Sequence, residues 1–294
     1  AMAVEKAKET DAELVMASDP DADRVGAAVK NNEGEWVLLN GNQTALMFVY
    51  YLITRWKELG KINGKEYIVK TIVTTETIKT IAERNGVEMY DVYTGFKWIA
   101  NVMRENEGKK NYIGGGEESY GFLCEDFVRD KDAVSACVIL AEIAAWAKDQ
   151  GLSLYQLLQK IYVEYGFSKE KGISVVKKGK SGAEEIEAMM KKFRENPLTE
   201  IAGSKVTYFY DYSTLKGKDY AENETVTLDM PTTSNVLQYF TEDNTKVSIR
   251  PSGTEPKIKF YCEVHSKVKS IDELPEAEKA AEEKINQIKA SLGI

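Results

Sequence analysis

Between Gln43 and Gly166 the chain alternates apolar helical segments with short β-runs, and this alternation restricts its architecture more than any other feature. A helix is expected from Gln43 to Leu59, with Gly60 as its stop. A strand at Tyr67–Val73, a helix at Glu76–Arg84 and a strand at Val87–Tyr90 follow. Phe96, Ile99 and Met103 then mark one face of another helix. Tyr112-Ile113 is a short strand opening into Gly114-Gly-Gly-Glu-Glu-Ser-Tyr-Gly121. Asp132 is a good N-cap for a helix reaching about Lys148, and Ser153 with Gln156 forms a capping box for the next, which ends near Gly166. Strands separated by helices predict a mainly parallel sheet, an α/β fold.

The pattern changes on either side of this region. Before it, Ala3, Val4 and Ala7 fall at helical spacing and lead into an apolar, buried strand, Glu13-Leu-Val-Met-Ala17. A hairpin is expected at Val25–Lys30 and Trp36–Leu39. A helix feeding a strand reads as the middle of an α/β unit, so further chain is expected before residue 1. After Gly166, strand-like runs dominate: Ile173–Val176, Lys205–Tyr210, Val236–Phe240, Lys246–Arg250 and Ile258–Val264. Ser181 with Glu184 predicts a capped helix between them, and Ala277, Ala281, Ile285, Ile288 and Leu292 stripe a C-terminal one. These elements imply an α+β C-terminal domain.

The chain has 294 residues, 43% of them hydrophobic, enough for more than one core at about 100–200 residues per domain. A net charge of −8 argues against a nucleic-acid partner, which needs a basic stripe. It leaves room for anionic small molecules held by a few focused cations. The longest apolar stretch, Ala45–Ile53, is about half of the ~20 residues a membrane span requires. Three cysteines without a CxxC spacing suit a reduced, cytoplasmic chain, and no signal peptide is visible.

Four loops carry chemistry. Asp19, Asp21 and Asp23 alternate after a strand, in Ser18-Asp-Pro-Asp-Ala-Asp-Arg24. Their carboxylates can converge on Mg²⁺, or they form a solvated acidic turn. Arg24 and Lys30 occupy positions where an EF-hand needs Gly and Glu, so that motif is excluded. A phosphatase using Asp21 as nucleophile needs a hydroxyl residue soon after Asp23, and Arg24-Val-Gly26 has none. In Gly115-Gly-Glu-Glu-Ser119, Glu117 and Ser119 can bond vicinal sugar hydroxyls, although a flexible turn explains the composition as well. Arg250-Pro-Ser-Gly-Thr-Glu-Pro256 offers a guanidinium, two hydroxyls and exposed amides, the parts of an anion nest, with Lys257 and Lys259 adding charge; a plain Pro/Gly turn is the alternative. Lys131, in Arg129-Asp-Lys-Asp132, is either a proton carrier or half of a surface ion pair. The single histidine, His265, has no nearby sequence partner in this reading and is taken as structural.

In this order the loops resemble those of the α-D-phosphohexomutase superfamily, the phosphoglucomutases and phosphomannomutases. Ser18–Arg24 resembles its metal loop, Gly116-Glu-Glu-Ser119 its sugar loop, Arg250–Thr254 its distal phosphate loop, and Thr94-Gly-Phe-Lys97 a segment lining its cleft. The similarity runs through essentially the whole chain. It implies that residues 1–40 are the end of domain 2, residues 41–166 are domain 3, and residues 167–294 are domain 4. The nucleophilic serine of domain 1, in a Thr-Ala-Ser-His-Asn-Pro loop, has no counterpart, because the one histidine follows a valine. The missing N-terminal domains of the same protein are thus an expected partner, and the chain alone is expected to be inactive.

The resemblance further implies a reversible transfer between hexose 1-phosphate and hexose 6-phosphate by way of phosphoserine and a bisphosphate. Mg²⁺ on Asp19, Asp21 and Asp23, and hexose 1,6-bisphosphate as activator, are the implied cofactors. Thr94, Gly95, Lys97, Glu117 and Ser119 would bind the sugar, and Arg250, Ser252, Gly253, Thr254 and Lys259 the phosphate that is not reacting. Lys131 and Arg24 are the catalytic candidates, Lys131 for proton transfer. The Thr94–Trp98 context leans toward glucose phosphate, with a pentose phosphate as the alternative.

Overall fold

The computed structural model describes residues 2–177, 179–253 and 255–294. They form two compact units, Ala1–Gly166 and Phe167–Ile294. None of the described helices is long and apolar enough to cross a membrane.

The first unit opens with α1 (Met2–Glu9) and an antiparallel sheet in the order β1 (Leu14–Ser18), β2 (Val25–Lys30), β3 (Trp36–Leu39). Its main layer runs α2 (Gly41–Glu58), β4 (Glu66–Thr71), α3 (Thr77–Arg84), β5 (Glu88–Val92), α4 (Phe96–Asn106), β6 (Asn111–Gly116), β7 (Phe122–Cys124), α5 (Ala133–Asp149) and α6 (Leu154–Tyr165). The strand order is β5-β4-β6-β7, with β5, β4 and β6 parallel and β7 antiparallel. Tyr67, Val69, Ile99, Met103, Tyr112 and Leu123 pack the space between α4 and this sheet. Local chemistry sets the helix starts. Asn40 and Gln43 form a reciprocal capping box for α2, as Ser153 and Gln156 do for α6. Each box satisfies amides that the first helical turn leaves unpaired.

Among the described residues, the second unit is one antiparallel sheet with two α-helices and a short 3-10 helix at Ile271–Glu273. Its elements are β8 (Phe167–Val176), α7 (Gly179–Glu195), β9 (Glu200–Ile201), β10 (Ser204–Asp211), β11 (Lys216–Asp219), β12 (Glu224–Thr227), β13 (Leu237–Thr241), β14 (Lys246–Pro251), β15 (Lys257–Ser266) and α8 (Leu274–Leu292). The order is β12-β11-β10-β13-β14-β15-β8, with β9 beside β10. Ala281, Ile285, Ile288 and Leu292 of α8 are buried, as the stripe predicts, while Ala277 lies outside that buried set.

An α/β arrangement followed by a sheet-rich α+β unit is therefore what the chain adopts. Four expectations are corrected. The β1 strand is half-buried to exposed rather than buried, because it is an edge of its own small sheet. Helix α7 begins at Gly179, so Ser181 and Glu184 lie inside it and do not cap it. The short strands β7, β9, β11 and β12 have no counterpart in the sequence reading. His265 does have a partner: its Nε2 is 2.6 Å from Glu263 Oε1, a carboxylate only two residues away.

Candidate functional site

Parallel strands deliver their C-terminal ends to one edge of a sheet, where open α/β folds place ligands. Here β5 leads into Thr94-Gly95 and β6 into Glu117 at that edge. The backbone N–H of Gly95 donates to Glu117 Oε1 at 2.8 Å, so the two loops are joined. Glu117 is buried, Ser119 is half-buried in the turn that follows, and Thr94 is half-buried. Lys97 is exposed on α4, its ammonium 5.1 Å from the Trp98 ring centre.

The Ser18–Arg24 loop, the candidate for a metal, is closed by its own hydrogen bonds. Asp19 Oδ1 accepts from the amides of Asp23 at 3.1 Å and Arg24 at 3.0 Å, and the Ala22 amide returns to Asp19 O at 3.0 Å. Burial works against the Asp19 charge, but those two amides and the neighbouring aspartates hold its pKa below the ordinary value. Oxygens of Asp19, Asp21 and Asp23 lie within 4.8 Å of one another. Opposite ligands on one Mg²⁺ are about 4.2 Å apart at ~2.1 Å each, so small side-chain rotations complete such a site. Asp23 Oδ1 supplies the stronger indication. It is buried and has no hydrogen-bond partner among the described residues. A buried carboxylate oxygen is costly unless a cation or donor faces it, and Arg24 Nε, 3.7 Å away, approaches this one without a hydrogen bond. Three hard oxygen donors, one of them buried without a hydrogen bond, fit a divalent cation.

The two catalytic candidates are gathered at the same loop. Arg24 Nε lies 3.9 Å from Asp19 Oδ2 and 3.7 Å from Asp23 Oδ1, with its side chain half exposed. Lys131 Nζ lies 2.9 Å from Asp23 Oδ2 and 3.1 Å from Asp130 Oδ1. Burial opposes the Lys131 charge, but the bonds to Asp23 and Asp130 outweigh it and raise its pKa. Asp132 caps α5 by accepting from the Ser135 amide at 2.8 Å. The Ala133 amide, one of the first-turn donors, goes instead to Ala22 O in the metal loop at 3.0 Å. The cap thus fixes Lys131 at the end of a loop already tied to Asp19–Asp23.

The candidate metal loop, Ser18–Arg24, and the candidate sugar loop, Gly116–Gly121, meet directly. Arg24 and Gly121 form an antiparallel bridge, and the Val25 amide donates to Tyr120 O at 3.2 Å. Glu118 accepts from Thr71 Oγ1 at 3.3 Å, and its carbonyl packs where a β-carbon on Gly41 would stand. Thr71, Tyr120, Gly121 and Gly41 were not singled out in the sequence. The glycines at 115 and 116 read there as close approach to a ligand or as a flexible turn, whereas Gly121 makes a close approach to Lys131 within the chain. A glycine between a functional loop and the next strand was the available signal.

In the second unit the phosphate candidates sit at the β14–β15 turn. Arg250 and Lys259 are direct cross-strand partners, which places both cations on one face. The Ser252 amide donates to Lys257 O at 2.7 Å and Ser252 Oγ accepts from the Glu255 amide at 3.3 Å. Gly253 is exposed, and Thr254 lies outside the described residues. The expectation that Lys257 adds free charge is not met, since its ammonium pairs with Glu255 at 2.8 Å. Lys259 lies over the Tyr261 ring at 5.9 Å.

Sequence comparison finds two family models. The phosphoglucomutase/phosphomannomutase alpha/beta/alpha domain III matches residues 40–165, and the C-terminal domain of the same family matches residues 174–281. A protein named phosphoglucomutase from Staphylococcus aureus (strain MRSA252) is 38% identical over 259 residues, covering 88% of this chain and 46% of its own length. A phosphoglucomutase from Staphylococcus haemolyticus (strain JCSC1435) is 33% identical over 264 residues, covering 90% of this chain and 47% of its own length. This chain therefore spans about half the length of the curated relatives it matches. Among solved structures, a phosphoglucomutase/phosphomannomutase family protein from Burkholderia thailandensis aligns with a TM-score of 0.60 at 18% identity, over 99% of this chain and 49% of its own. Paramecium parafusin, a phosphoglucomutase, aligns with a TM-score of 0.57 at 17% identity, over 94% of this chain and 45% of its own. At these identities the structures speak for the fold.

Proposed function

We propose, since this chain belongs to the phosphoglucomutase/phosphomannomutase family, that it holds the cation, the sugar and a phosphate for a hexose-phosphate mutase. The observation that carries this reading is the junction of two loops. The three converging aspartates, with Asp23 Oδ1 buried and not hydrogen-bonded, abut Glu117's loop through the Arg24–Gly121 bridge. The activity of the whole protein is interconversion of glucose 1-phosphate and glucose 6-phosphate; the names of the curated relatives favour glucose over mannose or pentose phosphate.

In that reaction a phosphoserine gives its phosphoryl group to a sugar hydroxyl, forming a bisphosphate, which then returns its other phosphoryl group to the serine. These 294 residues contain no Ser-His pair of the nucleophile loop, so in this reading the serine comes from elsewhere. Bound Mg²⁺ offsets the charge that builds on a moving phosphoryl group. This chain's own residues do the rest by positioning. Asp19, Asp21 and Asp23 present the oxygens that hold the cation. Glu117, braced by Gly95, and Ser119 orient the sugar hydroxyls, with Thr94 and Lys97 on the adjoining segment. Lys131 would relay a proton, and Arg24 would meet anionic oxygens beside the metal loop. Arg250, Ser252, Gly253, Lys259 and the adjacent Thr254 bind the phosphate that is not reacting. The free cysteines, Cys124, Cys137 and Cys262, suit the cytoplasm.

The test uses the 294-residue chain with Mg²⁺, glucose 1-phosphate and glucose 1,6-bisphosphate. Calorimetry is expected to register Mg²⁺-dependent binding of the bisphosphate, with no glucose 6-phosphate formed. Absence of binding would sink the reading, and turnover above background would show that the serine is not required from elsewhere.

A further inference from the structure

The Tyr120-Gly121 pair belongs to both loops. Tyr120 holds φ at +76°, a left-handed conformation unusual for a bulky residue, while its carbonyl accepts from Val25. Gly121 bridges to Arg24. The side chain of Lys131 crosses this junction on its way to the metal loop. A β-carbon on Gly121 would stand 2.1 Å from Lys131 Cδ, 2.9 Å from Cγ and 3.3 Å from Cε. Gly121 is not in the left-handed region, so glycine is needed there for room rather than for backbone freedom.

Through that gap the Lys131 ammonium reaches Asp23 Oδ2 at 2.9 Å. Only 12% of the Lys131 side chain is exposed, so few other paths are open to it. Asp23 has two oxygens and they are used differently. Oδ2 is engaged by Lys131, and this fixes the carboxylate plane with Oδ1 buried and without a hydrogen bond among the described residues, Arg24 Nε lying 3.7 Å from it. A metal ligand held by a second group is oriented by it, and removing that group commonly weakens metal binding by about 10–100-fold.

We propose that Gly121 is a positioning residue for the cation site: by lacking a β-carbon it admits Lys131 to Asp23, and the Lys131 contact sets Asp23 Oδ1 for the cation. Sugar-loop backbone and metal ligand are then linked by one side chain. The inference rests on the reading that Asp19, Asp21 and Asp23 hold a divalent cation.

The probe is Mn²⁺, titrated calorimetrically into the full chain, its Gly121→Ala and Lys131→Ala variants, and the double variant. Gly121→Ala is expected to weaken Mn²⁺ about tenfold, and Lys131→Ala by a similar factor. The double variant is expected to bind within about twofold of either single one, because both changes remove the same contact. A role in folding alone would not produce that dependence on the Lys131 background. The double variant also lacks the obstructing side chain, so it folds even if Gly121→Ala does not. Unchanged Mn²⁺ affinity in Gly121→Ala would overturn the inference. So would an equal loss in the Lys131→Ala background, or tighter binding by Lys131→Ala, which would make the ammonium a competitor. Failure of the unsubstituted chain to bind Mn²⁺ overturns the cation site itself, whereas the other outcomes leave that site standing.

Discussion

The amide of Gly95 and Oε1 of Glu117 are 2.8 Å apart, and this bond holds the end of one parallel strand against the end of another. Glu117 is only 7% exposed, so the bond is protected from water and the second carboxylate oxygen is left for a ligand. Replacing Glu117 with Ala strands a largely buried amide, at a cost of about 1–3 kcal/mol. The Glu117→Ala variant is expected to lose urea resistance and bisphosphate affinity together. Glu117→Gln keeps an acceptor for Gly95 and should lose affinity while keeping most of the stability. If Glu117→Ala binds bisphosphate normally in calorimetry, the residue braces the loop and does nothing for the sugar.

A cation bound by the native state alone raises its stability by mass action, about 2.7 kcal/mol at a hundredfold excess over Kd. Mg²⁺ should therefore raise the thermal midpoint of the chain, and a chelator should reverse the rise. Asp21→Asn, at the exposed member of the triad, should abolish most of the shift without changing the metal-free midpoint. A midpoint indifferent to Mg²⁺ would contradict the site.

Gly41 shows a close approach of a different kind. A β-carbon there would sit 2.0 Å from Glu118 O and 2.8 Å from Tyr120 N, both backbone atoms. Because both are backbone atoms, Gly41→Ala must displace either the loop at Glu118–Tyr120 or the start of α2. A cost of about 1–3 kcal/mol is expected, as for overpacking elsewhere. Denaturation midpoint and bisphosphate affinity should both fall; a variant with normal values for both would show that the loop moves freely.

What was legible in the sequence depended on how local its cause was. The capping box at Ser153 and Gln156 and the cap at Asp132 follow from side chains reaching three residues along, and both are present. Periodicity identified α4 and α8 because one face of each is buried. The β11–β12 hairpin carries Lys216, Lys218, Glu224 and Thr225 at a sheet edge, with no apolar alternation to mark it. The candidate site divides in the same way. Asp19, Asp21 and Asp23 are close in sequence and converge in space. The links among loops, such as Gly121 under Lys131 or Thr71 to Glu118, join residues 10 and 47 positions apart and need the fold to exist first.

Arg250 and Lys259, paired across β14 and β15, bring two cations to one face beside Ser252. A phosphate held there should be sensitive to each cation and to salt. Lys259→Ala is expected to weaken inorganic phosphate binding several-fold, with a shallower salt dependence. Arg250→Lys should weaken it as well, because a point charge does not reproduce the guanidinium fork. Phosphate titrations followed by NMR at two salt concentrations would check both; equal affinities for all three proteins would remove the loop from the binding site.

The buried cluster of Glu263, Lys246 and His265 gives the second unit a pH signature. Lys246 Nζ is 2.9 Å from Glu263 Oε2, and His265 Nε2 is 2.6 Å from Oε1 of the same carboxylate. Burial disfavours the imidazolium, but Glu263, with Glu170 adding to it, raises the His265 pKa above 6.5 against the opposition of Lys246. A raised histidine pKa stabilises the fold fully below the unfolded value and loses that contribution as pH climbs through the folded one. The depressed Glu263 pKa acts on the acid side, contributing above 4.5 and fading as pH falls toward the folded value. The chain should therefore resist urea better at about pH 6 than at about pH 9. His265→Gln should reduce that difference, since groups that titrate in both proteins cancel in the comparison. Parallel urea midpoints for the two proteins across this range would mean that His265 is neutral in the fold and that Lys246 alone balances Glu263.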